Sequence, residues 1–262
     1  MTRTLRYISL RLKVILLSDL QYRGHLFTQL FETGIALFVA LLSISILFNT
    51  TSDLNGWRAG ELVVLVGIYT IFKGVIGISI QPSMQKLMSD IHTGDLDFTL
   101  LRPFDSQMMI TFSTIQIWKT LDIVVGVITI AAGLAVVEQF IRWQEFSLFL
   151  ILLVLGIVLI YSYWLMLAVL AFWLIAIENL TNLFGDLFDT GRWPTAVYTK
   201  WLRTLLTIVV PVTLAVSIPA EALLGRLSSN QIWLLVGLSI GSLILSRFVW
   251  FLGLRSYSGA SA

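Results

Sequence analysis

The sequence predicts an all-α membrane protein with about six transmembrane helices, both termini cytoplasmic, and an amphipathic helix at the N-terminus. Three observations lead there. Hydrophobic residues make up 57% of the 262 positions and charged residues only 12%, with a mean hydropathy of +0.90. Soluble domains carry about 25% charged residues, so a single water-soluble core is excluded. Six stretches contain the roughly 20 apolar residues that a bilayer crossing needs. Lys and Arg are concentrated on alternate connectors, which sets an orientation. The even balance of 17 basic and 15 acidic groups argues against nucleic acid as a partner. With no cysteine, disulfides and thiolate chemistry are excluded.

In residues 2–23, Thr2, Arg6, Ser9 and Lys13 share one face at helical spacing, while Leu5, Ile8, Leu12 and Ile15 share the other. Two readings stay open: a helix lying in the membrane interface, or a basic flank that orients the first span. The apolar run Val14-Ile15-Leu16-Leu17 is too short for a cleavable signal peptide. Spans are expected at 29–48, 61–80, 112–137, 147–176, 203–219 and 231–251. The fourth is long enough to tilt or to project from the bilayer. The fifth contains Pro211 and ends at Pro219, so it reads as one span or two pieces. With the N-terminus inside, twelve Lys and Arg residues fall on inner segments and three, Arg58, Arg142 and Arg226, on outer ones. The inner loops, 81–111 and 177–202, are longer than the outer ones and carry the unusual sequence. The chain reads as one domain, 1–262, without internal repeats.

The first inner loop opens with Gln81–Met88, which continues the second span or forms a short amphipathic helix. Gly94 permits a tight turn or a helix C-cap. Asp95 and Asp97 can cap the following turn or meet basic groups on a partner, and Pro103 ends regular structure. Inside the apolar runs, Lys73 is costly to bury. It marks a substrate path, pairs with Asp122, or snorkels to the interface. Lys119 and Asp122, three apart, can neutralise each other. Tyr161, Tyr163, Trp164, Phe172 and Trp173 read as lipid-facing packing in preference to a pathway wall. His25 and His92 are isolated, and no metal site is expected.

Several of these stretches resemble ABC-2-type exporter permeases. The first is Gly94-Asp95-Leu96-Asp97 followed by Leu100-Leu101-Arg102-Pro103. The second is Phe184-Gly185-Asp186 through Thr190-Gly191-Arg192-Trp193-Pro194, with Tyr198, Trp201 and Arg203 after it. The third is Val210-Pro211-Val212 through Ile218-Pro219-Ala220-Glu221-Ala222-Leu223-Leu224-Gly225. The resemblance implies that residues 1–28 form an elbow helix at the membrane surface. It implies that residues 83–104 form a coupling region docked on a cytoplasmic ABC ATPase subunit. In that region Asp90, Gly94, Asp95, Asp97, Arg102 and Pro103 would shape the contact, with Leu96, Phe98 and Leu100 filling a groove. Asp186, Gly191, Arg192 and Pro194 would belong to the second inner loop, and Pro211, Pro219 and Glu221 to a broken hairpin at the outer mouth. Two permeases, identical or related, would work with two ATPases in the inner or plasma membrane.

The chain contains no Gly-x-x-x-x-Gly-Lys-Ser/Thr phosphate loop. ATP and Mg are therefore expected on the partner ATPase, with no cofactor and no catalytic residues in this chain. The reading is an ATP-driven export permease for an amphiphilic or drug-like substrate. The alternative is an ion-coupled secondary transporter, which would show inverted repeats and buried ionisable groups at mid-membrane. A membrane-embedded enzyme ranks third, because no catalytic pair is visible.

Overall fold

The computed structural model describes residues 24–54, 56–138, 140–174, 184–194, 197–208 and 211–257. Of the expected elbow, 1–28, residues 1–23 lie outside the described residues, and 24–28 instead begin the first long helix, Gly24–Thr50. Helices form every regular element found, and five of them are long and apolar enough to cross a membrane. These are α1 (Gly24–Thr50), the run Ala59–Thr93, the run Ile117–Val137, the run Trp143–Phe172 and the last helix, Ser229–Ser256. Such a chain is an integral membrane protein.

The run Ala59–Thr93 is continuous, not two elements. It consists of α2 (Ala59–Val75), a π-helical turn Ile76–Ile80, and α3 (Gln81–Thr93). Gly94 then takes a left-handed φ of 82° and ends the run, a conformation that glycine adopts without steric cost. Two short helices follow, α4 (Leu96–Leu100) and α5 (Ser106–Thr111).

The third expected span starts later than residue 112. Residues 112–116 are irregular because they are stitched to the preceding rod: Gln116 N–H donates to the Ile78 carbonyl at 2.8 Å, and Ser79 Oγ donates to the Thr111 carbonyl at 2.8 Å. After one 3₁₀ turn, α6 (Thr120–Val137) runs back along α2.

The α2–α6 contact is built on glycines seven residues apart, two helical turns, so each set lines one stripe. Gly67 faces Gly126 and Gly60 faces Gly133, while Gly74 lies against Lys119, Asp122 and Ile123. A Cβ on Gly126 would lie 2.7 Å from the Gly67 carbonyl oxygen. Small residues let membrane helices approach to backbone contact, where dispersion replaces the missing hydrophobic force. This pairing leaves α2 the most enclosed span.

The other half is organised by α7 (Trp143–Val169), which ends in a 3₁₀ turn, Leu170–Phe172. Of the two readings of the fifth span, the structure has the two pieces, α8 (Lys200–Ile208) and α9 (Val212–Leu223). Pro211 occupies the N-cap of α9, where its missing N–H costs nothing. Pro219 lies inside α9 and does not end it. At about 18 Å, α9 is too short to cross alone. Both α9 and α10 (Ser229–Ser256) pack on α7. The aromatic residues of α7 are not simply lipid-facing. Trp164 is buried edge-on to Phe184 at 5.2 Å, and Phe172 meets Trp250 at 6.1 Å. Trp173 does remain exposed.

Candidate functional site: a projecting loop and an intramembrane polar chamber

Three regions carry polar chemistry. The first is the tip of the α2–α3 rod. Asp90 is held by Lys86 at 2.7 Å. Asp95 sits at the N-cap of α4, but its carboxylate accepts from the Thr93 hydroxyl at 2.9 Å and makes no cap bond. Asp97 lies in the first turn of α4, where its charge favours the helix dipole. Leu96 is 1% exposed and belongs to the chain's own core, so it cannot fill a partner's groove. The outward apolar groups are Phe98 (67% exposed), Leu101 (83% exposed) and, less so, Leu100. Arg102 and Pro103 are exposed beside them. The helical turn Leu96–Leu100 explains the division: residues two apart point in different directions on a helix.

The loop's exit is anchored. Arg247 of α10 pairs with Asp105 and donates to Gln107 Oε1 at 2.7 Å; Gln107 in turn donates to the Tyr161 hydroxyl of α7 at 3.1 Å. Arg247 holds the Asp105 carboxyl below its ordinary range, helped by the Met108 N–H. The Tyr257 hydroxyl donates to the Gly94 carbonyl at 3.3 Å. The loop is thereby tied to both α7 and α10, which sequence reading did not foresee. Arg247 had counted only as one more inner charge.

The second region lies at the opposite end. Arg226 forms an ion pair with the buried Glu61, donates to the Gly56 carbonyl and stacks over Trp57 at 5.6 Å. Glu61 also accepts the Arg58 N–H at 2.7 Å, the N3-to-N-cap half of a capping box. Glu221 accepts from Gln231. Gly225, with φ of 66°, makes the turn from α9 into α10.

The third region is inside the helices. Part of the expected second inner loop packs inward. Asp189–Arg192 forms a 3₁₀ turn packed against α2 and α9. Gly191 is there because any side chain would strike Val212, 2.8 Å from a built Cβ. Pro194 is buried nearby. Asp189 accepts from the Tyr69 hydroxyl and pairs with Arg192 at 3.1 Å. Tyr69 lies ten residues into α2, about 15 Å from its start, so these charges pack beside the middle of that helix.

Lys73 and Asp122 do not pair. Glu32 of α1 bridges Lys73 at 3.8 Å and Lys119 at 3.6 Å. Asp122 Oδ1 accepts from Gln29 Nε2 at 2.9 Å and from the Thr33 hydroxyl. The i, i+3 neutralisation of Lys119 by Asp122 is therefore replaced by partners from α1, which come closer. Asp186 lines a polar cavity of about 420 Å³ with Glu32, Lys73, Lys119 and Asp189. The signal for Gln29 and Thr33 was present as two polar residues one turn apart on an apolar helix. Tyr69 and Asp189 gave none.

Among the described residues, five apolar helices enclosing buried polar groups define a membrane-embedded helical domain. The family model described as ABC-2 family transporter protein matches residues 35–261, and the chain belongs to that family. It is the membrane domain, the permease, of an ABC transporter. Comparison with curated proteins and with solved structures gives no match.

Proposed function

We propose that this chain is the permease subunit of an ATP-driven exporter of amphiphiles, with ATP and Mg bound by separate cytoplasmic ATPase subunits. Membership of the ABC-2 family across residues 35–261 carries the reading. The shape of the α2–α3 rod supports it. Its 35 residues span about 50 Å, against an apolar bilayer core of about 30 Å. The rod therefore projects from the membrane and ends in a loop bearing Phe98, Leu100, Leu101 and Arg102.

In this reading the N-terminus is cytoplasmic, α8 and α9 together make the fifth of six crossings, and the residues before Gly24 form the elbow. Two permeases face each other in the cell membrane. ATPase closure pushes on α4. The push travels through α3 into α2, and through Arg247 and Tyr161 into α10 and α7, so the loop and three spans move as one packed body. The chain itself performs no covalent chemistry.

Co-expression with its ATPase and co-purification test the reading. ATP turnover is expected in the complex and not in the isolated chain. Turnover by the pure chain, or failure of any ATPase to associate, removes it. Reporter fusions after Arg58, Arg142 and Arg226 should read outside, and those after Arg102 and Lys200 inside.

A further inference from the structure

A polar chamber lies between α1, α2, α6 and residues 184–194. Its enclosed pocket, about 40 Å³, is lined by Thr33, Tyr69, Lys73, Asp122 and Arg192 among others. Lys73 also lines the larger polar cavity of about 420 Å³, so the two spaces share a wall. Asp122 is 1% exposed. Its Oδ1 is held by Gln29 and Thr33, while its Oδ2 has no hydrogen-bond partner. A buried carboxylate oxygen left unpaired is costly and calls for a donor.

The charges identify that donor. Three cations, Lys73, Lys119 and Arg192, face four carboxylates, Glu32, Asp122, Asp186 and Asp189. Arg192 is taken by Asp189, and Glu32 serves both lysines. The sum is one negative charge; Asp186 is exposed, and Asp122 Oδ2 is the buried acceptor without a partner.

We propose that this chamber binds a primary ammonium group of the transported amphiphile, with Asp122 Oδ2 as its counter-ion. This rests on the transport reading above. A primary ammonium supplies N–H donors, which Oδ2 requires and a quaternary ammonium lacks. The pocket has room for about three waters, enough for an –NH₃⁺ but not for a trimethylammonium.

The test is titration calorimetry of the full chain in zwitterionic-lipid nanodiscs, with empty discs as reference, using octylamine, octanol and octyltrimethylammonium at neutral pH. Octylamine should bind roughly tenfold tighter than either of the others, as one desolvated charge pair requires. Asp122→Asn should remove that preference. Equal affinities for the three compounds on the unmodified chain overturn the proposal, as does a preference that survives Asp122→Asn. Should that variant not fold, Lys73→Met gives the second measurement. Removing a cation from the same wall should tighten octylamine several-fold, and unchanged or weaker binding overturns the site. Displacement of octylamine by sodium ions overturns it in favour of an inorganic cation. The assay needs no ATPase: selective binding without ATPase association sinks the permease reading alone, and association without selectivity sinks the site alone.

Discussion

Gly67→Ala tests the close approach on which the fold depends. A Cβ at position 67 would lie 2.8 Å from the Gly126 carbonyl oxygen, 2.8 Å from the Ile130 nitrogen and 2.7 Å from Ile130 Cγ1. Ordinary carbon–oxygen contacts are about 3.3–3.6 Å, so α2 and α6 must part by about half an ångström. Two of the three obstacles are backbone and cannot rotate away. A gap of that size forfeits about a quarter of the dispersion well along the interface. Overpacking of this kind costs about 1–3 kcal/mol.

Alanine's better helix propensity returns up to about 1 kcal/mol, so the comparison needs a glycine with the same propensity gain and no neighbour. Gly241 of α10 has nothing within 4 Å of a built Cβ. Gly241→Ala should be neutral or slightly stabilising. Thermal unfolding of both variants in the same detergent, followed by tryptophan fluorescence, should separate them by about 1–3 kcal/mol. Gly126→Ala should resemble Gly67→Ala. The double variant should cost less than the two together, because one separation of the helices relieves both clashes. Equal stability of Gly67→Ala and Gly241→Ala would refute the glycine-packed interface.

Further outcomes follow from the ends of the molecule. Arg226→Ala leaves the buried Glu61 carboxylate with only the Arg58 N–H and should cost about 1–3 kcal/mol in thermal unfolding. Glu61→Gln, which keeps that backbone bond, should cost less. Phe98→Ala and Leu101→Ala should leave stability within about 0.5 kcal/mol yet weaken ATPase co-purification. Leu96→Ala should destabilise the chain itself by about 2–5 kcal/mol. The Asp105 carboxyl is held below its ordinary range chiefly by Arg247. The unfolded chain thus binds more protons there, and the stabilisation is present above the ordinary carboxylate range and lost as pH falls through the folded value. Arg247→Gln should flatten that part of the stability curve between about pH 5 and 3; an unchanged slope would contradict it. The pair is half-exposed, so the effect should stay below about 1 kcal/mol.

The membrane class, the helical content and the approximate places of five spans were legible in the chain, because length and hydropathy act locally along it. The turn at Gly94 was legible too, since a left-handed glycine is a single-residue effect. The fate of Leu96 and Phe98 was not: which side of a five-residue helix turns inward depends on what α3 and α5 leave uncovered. The fifth span was ambiguous in sequence, and packing of α9 on α7 resolved it into two helices.

Most of the polar chemistry was decided only by tertiary structure. Lys73, Lys119 and Asp122 could be paired on paper by spacing alone. In the folded chain Glu32, Gln29 and Thr33 of α1 come closer, and hydrogen bonding follows distance in space. Gly191 looked like loop glycine and proves to be the contact that lets Asp189 and Arg192 settle beside the middle of α2. Sequence determines what each residue can do within its own turn of helix. Which charge meets which is set by the crossing of helices far apart in the chain, and no local period records it.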